Sequence, residues 1–246
     1  FYPEQGDLVV RGEGGEHPVI SSSEGVRQGD VLGPLLFCIA LKPAITRALE
    51  QFNLLLPGKS VSVYAYMDDI TIVGDASASF EFFTLLEREL AGIGLDVNRS
   101  KTVMTSPLFQ SDMRCRVESC FKLLGAFVSR NPAEEKAEVD RLIEPHEPLF
   151  NRLTQLPAEV GYRLLIACGV PRWAHIIRTH EPAVSGPASV AFTEMSVRCL
   201  AAILRVDYNT LADCVLRQIR MPVRCGGLGL HDWSERAEDA YAMSLS

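Results

Sequence analysis

Residues 61–73 read Val-Ser-Val-Tyr-Ala-Tyr-Met-Asp-Asp-Ile-Thr-Ile-Val, two runs of mostly β-branched and aromatic residues around a pair of aspartates. Such runs are typical of β-strands, whereas adjacent aspartates favour a turn. The pattern therefore predicts an antiparallel β-hairpin with Asp68 and Asp69 at or beside its turn.

The aspartate pair needs a physical explanation, because neighbouring side chains in a strand point to opposite faces. A tight turn can bring both carboxylates toward one site, and like charges held close are costly unless cations neutralise them. Mg²⁺ prefers carboxylate oxygens together with substrate phosphates, and a pair of such ions serves nucleotidyl transfer. The alternative is an ordinary polar turn on the surface, where aspartate is common.

The segments before the hairpin predict a loop and then a helix. Glycines indicate a loop over residues 25–30, and an apolar helix follows from about Pro34 to Gln51. Pro43 is expected to interrupt or kink this helix. We expect residues 35–49 to pack behind the sheet of the hairpin. Further upstream, residues 8–10 and 18–20 predict two short strands.

The segments after the hairpin predict a helix and more short strands. The spacing of Phe83, Leu86, Leu90 and Ile93 indicates one face of a helix over residues 80–93, which Gly94 ends. Short strands are predicted at the following positions: 95–97, 102–104 and, as a strand or hairpin, 121–128.

Residues 133–246 have a helical pattern nearly throughout. Breaks are expected at Pro157, at Pro171 and over the ranges 182–187 and 222–229. One predicted helical stretch carries a series of arginines, which could contact nucleic acid or form a merely solvated face. These arginines are Arg198, Arg205, Arg217, Arg220 and Arg224.

Composition indicates a soluble globular protein of one large or two small domains. The chain has 246 residues, of which 47% are hydrophobic and 22% charged. No apolar run reaches the roughly 18 residues that a membrane span needs. The start, residues 1–4, has no signal-peptide pattern and no initiator Met, which suggests a cut end. A net charge of −7 is unfavourable for binding nucleic acid.

Seven cysteines are scattered through the sequence without the spacing of a disulfide framework. We interpret them as reduced thiols of an intracellular protein, in the nucleus or the cytoplasm. Cys115 and Cys120 form a C-x4-C pair, with Cys225 far downstream. Structural zinc is a minor alternative, because a second ligand pair is missing.

Five segments together resemble the reverse transcriptases of non-LTR retrotransposons. Tyr66–Asp69 matches the Y-x-D-D motif, and Gly25–Phe37 is similar to the preceding G-x-x-Q-G-x-x-x-S-P-x-L-F motif. Gly94–Thr102 is similar to G-L-x-(I/V)-N-x-x-K-T, and Phe121–Gly125 resembles the F-x-Y-L-G primer-grip hairpin. Met221–Leu230 is similar to an L-P-x-R-x-G-G-L-G-L segment found beyond the thumb of some members. The order of the motifs makes coincidence an unsatisfactory explanation.

The resemblance implies a fold, an activity and cofactors. The fold would be α+β, with a partial polymerase palm over residues 1–130, an antiparallel sheet with packed helices, and a helical thumb and post-thumb region over 131–246. The activity would be RNA-directed DNA synthesis by two-metal nucleotidyl transfer with Mg²⁺ or Mn²⁺. The partners would be an RNA template, a DNA primer and deoxynucleoside triphosphates, without a membrane.

The resemblance also implies roles for single residues. Asp68 and Asp69 would be metal ligands and catalytic, and Lys101 a proton donor near the triphosphate. Tyr66 would lie near the primer terminus, and three residues would contact template and incoming nucleotide: Arg27, Gln28 and Gly29. Each role has a plain alternative, with Lys101 a solvated cation, Tyr66 a core residue and Gln28 a helix cap.

The sequence departs from the family pattern in three respects. Gly33 stands where the family usually has Ser, the fingers would lie upstream, and a third aspartate is expected from a strand before Gly25. Asp7 does not resemble that strand. We therefore expect the isolated chain to be inactive, either as a piece of a longer polymerase or as a relic. The competing interpretations are a non-catalytic retroelement-derived scaffold or nucleic-acid-binding protein and, as a minor one, an unrelated metal-dependent phosphohydrolase.

Overall fold

The computed structural model describes residues 6–9, 19–22, 25–26, 29–106, 108 and 115–246. Two compact units divide the chain between Val117 and Glu118. The first combines short strand pairs with packed helices, and the second is a helical region that begins with one hairpin. This mixture confirms the α+β class, a partial palm followed by a helical region. The boundary after residue 130 stays a prediction, because compactness alone defines neither a palm nor a thumb.

Unit 1, residues 1–117, alternates strand pairs with helices. Its elements are β1 (Gly6–Val9), β2 (Val19–Ser22), α1 (Gly33–Leu55), β3 (Val61–Tyr66), β4 (Asp69–Gly74), α2 (Ala76–Ala91), β5 (Val103–Met104) and β6 (Arg116–Val117). The antiparallel pairs β1–β2 and β3–β4 lie where the sequence predicts strands. β5 and β6 pair in parallel.

The core of unit 1 forms between α1 and α2. The rings of Phe52 and Phe82 meet edge to face, with centroids 5.9 Å apart, and both side chains are fully buried. Four residues from one face of the hairpin pack against the same cluster: Val61, Val63, Ile70 and Ile72. The prediction that α1 packs behind the sheet is confirmed.

Two details of unit 1 differ from the sequence prediction. α1 is not interrupted at Pro43, because a proline removes a single backbone hydrogen bond while buried residues before and after it, Leu41 and Ala48, hold both halves in the core. Residues 95–97 form no strand. The backbone N–H of Leu95 instead donates to the carbonyl of Leu90 at 3.0 Å, which closes the end of α2 as a turn.

Unit 2, residues 118–246, is one hairpin followed by helices. Its strands are β7 (Cys120–Leu123) and β8 (Ala126–Ser129), and its α-helices are α3 (Pro132–Arg141), α4 (Glu147–Leu153), α5 (Ala158–Leu164), α6 (Ala174–Thr179), α7 (Pro182–Ile203), α8 (Asp213–Arg220) and α9 (Trp233–Ser244). A π-helical turn over Leu165–Gly169 and a 3₁₀ turn over Val170–Trp173 connect α5 to α6. Among the described residues, no helix is both long and apolar enough to cross a membrane.

Stacked aromatic rings form the centre of unit 2. Trp173 and Phe192 are fully buried, with centroids 4.6 Å apart and ring planes 20° apart. The indole N–H of Trp173 donates to the hydroxyl of Ser189 at 2.8 Å, so the buried polar atom of the ring has a partner. These contacts fix the long helix α7 as the element around which the others pack.

Two predictions for unit 2 are wrong. Helix α7 begins at Pro182 and continues through Pro187, although a break was expected there. Pro182 occupies the first turn, where its missing N–H is not needed, and the buried Phe192 lies beyond Pro187 on the same helix. The five arginines do not share one helical stretch either, because they fall on α7, α8, a 3₁₀ turn and the turn after α7.

Candidate active site

The hairpin β3–β4 turns through a two-residue loop. Tyr66 pairs with Asp69, so Met67 and Asp68 form the loop itself. Met67 has a φ of 55°, a left-handed conformation that costs a residue other than glycine about 1–2 kcal/mol. Asp68 therefore lies in the loop and Asp69 at the first position of β4, which confirms the predicted hairpin with both aspartates at its turn.

The two faces of this hairpin have different surroundings. Residues directly opposite each other in an antiparallel pair share a face, so Asp69 lies on the same face as Tyr66 and Tyr64. The opposite face carries the residues that pack on the helices, such as Val63 and Ile72. The carboxylate of Asp69 and the tyrosine rings are consequently on the side of the sheet away from the helical core.

Both carboxylates of the turn are available to a ligand. Asp68 and Asp69 are exposed, and neither side chain forms an ion pair or a hydrogen bond within the described part of the chain. Tyr66 is 64% exposed and Tyr64 is 65% exposed. The alternative of a buried Tyr66 is therefore wrong, and Tyr64 is a candidate that the sequence analysis missed.

One side chain of helix α1 supports the turn. The thiol of Cys38 lies 3.9 Å from the thioether sulfur of Met67. The contact joins the middle of α1 to the loop residue with left-handed backbone. The tip of the hairpin thus contacts α1, the helix behind the sheet.

The loop before α1 contains two glycines in left-handed conformations. Gly25 has a φ of 77° and Gly29 a φ of 88°, and a Cβ atom at either position would meet nothing within 4 Å. The carboxylate of Asp30 accepts a hydrogen bond from the backbone N–H of Leu32 at 2.9 Å, just before the helix begins. Arg27 and Gln28 lie outside the described residues, so their predicted contacts stay predictions.

The loop that carries Lys101 is organised by Asn98. The Asn98 carbonyl accepts from the backbone N–H groups of Lys101 and Thr102, each at 3.1 Å. Arg99 forms two hydrogen bonds to Glu87 of α2, at 2.9 and 2.5 Å, which anchor the loop to the core helix. Lys101 itself is exposed and forms no ion pair within the described residues, so its proton-donor role and its alternative as a solvated cation both stay open.

The donor chemistry at the turn fits a divalent ion, but the described residues do not complete a site. Carboxylate oxygens are the ligands that Mg²⁺ prefers. No group of three or more His, Cys, Asp or Glu side chains converges anywhere in the described part of the chain. The same observation gives no support to a zinc site at Cys115 and Cys120. Burial raises the pKa of both thiols, which opposes metal binding.

Two of the predicted nucleic-acid-binding arginines have structural partners. Arg220 forms an ion pair at 2.8 Å with Asp232, whose side chain is 8% exposed. Arg198 pairs with Glu194 at 2.6 Å and lies over the ring of Tyr208. Arg217 and Arg224 are exposed and form no ion pair within the described residues. The five arginines therefore do not share one helical face, and contact of the exposed ones with nucleic acid stays a prediction.

A different basic surface lies on the 3₁₀ turn before α6 and on α6 itself. Residues 160–180 contain three arginines, two histidines and no carboxylate, in a chain whose net charge is −7. Arg172, His175 and Arg178 are all exposed. The local absence of Asp and Glu was visible in the sequence, and a count of charge in short windows would have found it.

The hairpin, with two carboxylates at its turn, an aromatic outer face and two helices behind it, has the features that the sequence predicts for a polymerase palm. Residues 7–128 match the family model of reverse transcriptase, the RNA-dependent DNA polymerase. Residues 7–128, just under half of the chain, are thus similar to the reverse transcriptase family, and a retrotransposable-element protein is among the similar proteins.

A similar curated protein is the retrotransposable element SLACS 132 kDa protein of Trypanosoma brucei gambiense. The two are 24% identical over 223 residues, which cover 89% of this chain. This chain spans only 18% of the length of that relative. No solved structure matches the chain.

Proposed function

We propose that the chain supplies the Asp68–Asp69 side of the active site of an RNA-directed DNA polymerase, working by two-metal nucleotidyl transfer. The observation that carries the proposal is the exposed, unpaired carboxylate pair at a two-residue turn, on a hairpin whose outer face is aromatic. Exposed carboxylates on adjacent residues, without protein partners, are suitable ligands for a divalent cation. Bound Mg²⁺ or Mn²⁺ would activate the primer hydroxyl and stabilise the leaving pyrophosphate.

The other residues of the site have assigned tasks in this proposal. Tyr66, with Tyr64 beside it on the outer face, provides a flat aromatic surface for the sugar and base at the primer terminus. Gln28 and Gly29, with Arg27, contact the template and the incoming nucleotide. Lys101, held at the end of the Asn98 turn, donates a proton near the triphosphate.

The proposed partners are an RNA template, a DNA primer and deoxynucleoside triphosphates. Support for nucleic-acid binding by unit 2 comes from Arg172 and Arg178, since phosphates attract exposed arginines that form no ion pair within the described residues. Replacing both residues with Ala should weaken duplex binding and make its salt slope shallower. Arg163→Ala is the matched control, because Arg163 already pairs with Glu159.

The isolated chain is expected not to extend a primer. The described residues offer Asp68 and Asp69 at this site but no third protein ligand, and two carboxylates alone hold two metal ions poorly. The same observation favours the second candidate, a retroelement-derived scaffold that binds nucleic acid without catalysis. Metal binding distinguishes the polymerase from the scaffold, because only the polymerase requires the turn to bind divalent ions.

The test measures Mn²⁺ binding to the purified chain. Binding is detected as the loss of the free-ion signal in electron paramagnetic resonance. We expect Asp68→Asn to abolish the weak binding of the wild type. Asp96→Asn is the control, because it removes the same charge from another exposed carboxylate of unit 1. Equal Mn²⁺ binding by the wild type and Asp68→Asn would exclude the turn as a metal site. Template-dependent synthesis by the isolated chain would contradict its expected inactivity.

A further inference from the structure

Hairpin β7–β8 is held by a histidine that lies far away in the sequence. The backbone N–H of Phe127, in β8, donates to Nε2 of His180 at 2.9 Å, across 53 residues. His180 follows α6 directly and is 1% exposed. In a two-stranded sheet, alternate backbone N–H groups point away from the partner strand and need another acceptor, and the half-buried Phe127 finds it in this side chain, which joins the strand to the end of α6.

The remaining contacts of His180 fix its tautomer. Its Nδ1 lies 3.1 Å from the carbonyl oxygen of Ile176, which can only accept, so Nδ1 carries the proton. The hydroxyl of Thr179, 3.0 Å from the same nitrogen, donates its own proton to the carbonyl of His175 and is free to accept. Nε2 is therefore unprotonated, and the ring is neutral when it accepts from Phe127.

The tip of the same hairpin rests on a second histidine. Gly125 has a φ of 90°, and a Cβ atom built on it would lie 2.9 Å from Nε2 of His175. Only glycine permits so close an approach with this backbone conformation. The hairpin is thus attached to α6 at two points, through its tip and through the backbone of β8.

The surroundings of His180 favour the neutral ring. Burial lowers its pKa, the hydrogen bond to the Ile176 carbonyl opposes that change, and the nearby His175 lowers the pKa further. On β7, Lys122 lies over the ring of Phe127 at 5.9 Å, so the nearest strand also presents a cation. The charged residues of α9, which packs on α6, are all exposed: Glu235, Arg236, Glu238 and Asp239.

Carboxylates lie on the two other neighbouring elements. Glu181 is the residue that follows His180 and precedes α7, and it is exposed. Glu135 of α3 has its pKa raised, chiefly by burial and then by Glu181. Neither carboxylate is a hydrogen-bond partner of the His180 ring, whose two nitrogens are already engaged by Phe127, Ile176 and Thr179.

We infer that His180 is the positioning residue of hairpin β7–β8: as a neutral acceptor it fixes the hairpin on α6, and a proton on Nε2 releases it. Protonation converts Nε2 from acceptor to donor, so two N–H groups would then face each other. Any effect on nucleic-acid binding rests on the proposed function, in which this hairpin resembles the primer grip. The attachment of the hairpin to α6 does not depend on the proposed function.

The experiment measures the hydrogen-exchange protection factor of the Phe127 amide in the full chain between pH 8 and pH 5. Once His180 is protonated, wild-type protection should be at least tenfold lower than at pH 8. His180→Gln offers a carbonyl oxygen near the position of Nε2 and cannot gain a proton, so its protection should not depend on pH. His180→Met has no such acceptor and should lack protection at every pH, while retained burial of Trp173 shows that the variant is folded.

A control and two contrary results complete the test. His231→Gln changes another partly buried histidine with a lowered pKa, away from the hairpin, and should keep the wild-type profile. Wild-type protection in His180→Met, or an acid-induced loss that persists in His180→Gln, would overturn the inference. Affinity for a primer–template duplex is measured in parallel. If the protection of Phe127 changes as expected but the affinity for the duplex does not depend on pH, the attachment through His180 is supported and the primer-grip role of the hairpin is excluded.

Discussion

Hairpin β3–β4 and hairpin β7–β8 each turn through a two-residue loop whose first residue, Met67 or Leu124, has a positive φ. At the first tip the carboxylates of Asp68 and Asp69 have no partner within the described residues. At the second, the tip and the following strand contact His175 and His180. The two loops share a left-handed first residue but differ at the second, because Gly125 has a φ of 90° and Asp68 has no positive φ. Unsatisfied charge leaves the first tip ready for a ligand, and satisfied polar groups make the second a fixed support.

The largest effect is expected from Asp68→Asn. This change keeps the shape of the side chain but removes one charge from the proposed metal site. In a longer polypeptide that supplies the additional metal ligand, it should slow the chemical step by about 10²-fold or more. Stability should stay within about 0.5 kcal/mol, as is usual for an exposed side chain without partners. Single-turnover primer extension and urea denaturation measure the two quantities. An unchanged rate would remove β3–β4 from the catalytic centre.

Gly125→Ala tests the support at the other tip. The left-handed backbone and the contact with His175 should together destabilise unit 2 by about 1–3 kcal/mol. Gly226→Ala is the matched control, since Gly226 has a φ of 82° but open space around it. The difference between their urea midpoints isolates the contact with His175. Equal losses would mean that the tip does not rest on that ring.

Much of the first hairpin and its helices could be predicted from the sequence, because local residue patterns determine them. The β3–β4 hairpin follows from alternating β-branched residues around Asp68 and Asp69, and α2 follows from the spacing of Phe83, Leu86 and Leu90. The helical continuation through Pro187 was missed, because tertiary burial outweighed one absent hydrogen bond. The β5–β6 pairing was missed for another reason, because strands of two residues are too short to show an alternation of apolar and polar residues.

The contacts that fix the second hairpin leave no local pattern at all. His180 and Phe127 are 53 residues apart, and neither neighbourhood indicates the other. The ion pair between Arg220 and Asp232 likewise gives a predicted binding residue a structural partner. Long-range polar contacts of this kind decide which exposed-looking residues are free, and they become visible only when the chain is folded.

A smaller effect than that of Gly125→Ala is expected from acid pH. The pKa of His180 is lowered below its ordinary value of 6.5 by burial first, with His175 adding to the shift. A group whose folded-state pKa is lowered binds fewer protons when folded than when unfolded. Its contribution is therefore fully present above pH 6.5 and is lost as pH falls from there through the folded-state pKa. Denaturation at pH 8 and pH 5 should show this loss in the wild type and less of it in His180→Gln.

The smallest effect is expected where the two tips are most alike. Met67→Gly removes a left-handed strain of about 1–2 kcal/mol, which stabilises the fold. It also gives the unfolded chain more backbone freedom, which destabilises the fold by about 0.5–1 kcal/mol. The loss of the contact between Met67 and Cys38 subtracts a little more. The net gain in stability should be about 0.5 kcal/mol, and Leu124→Gly should behave similarly because Leu124 has a φ of 47°.

These two variants should nevertheless differ in function. Met67 precedes Asp68 in the loop, so a more flexible residue there should loosen the carboxylate and weaken Mn²⁺ binding by the chain. Leu124→Gly leaves His175 and His180 in contact with the second hairpin, so Mn²⁺ binding should not change. Stability from urea denaturation and Mn²⁺ affinity from the resonance titration separate the two contributions. If both variants kept wild-type Mn²⁺ affinity, the strained turn would have no part in holding Asp68, and the positive φ of Met67 would be a matter of hairpin geometry alone.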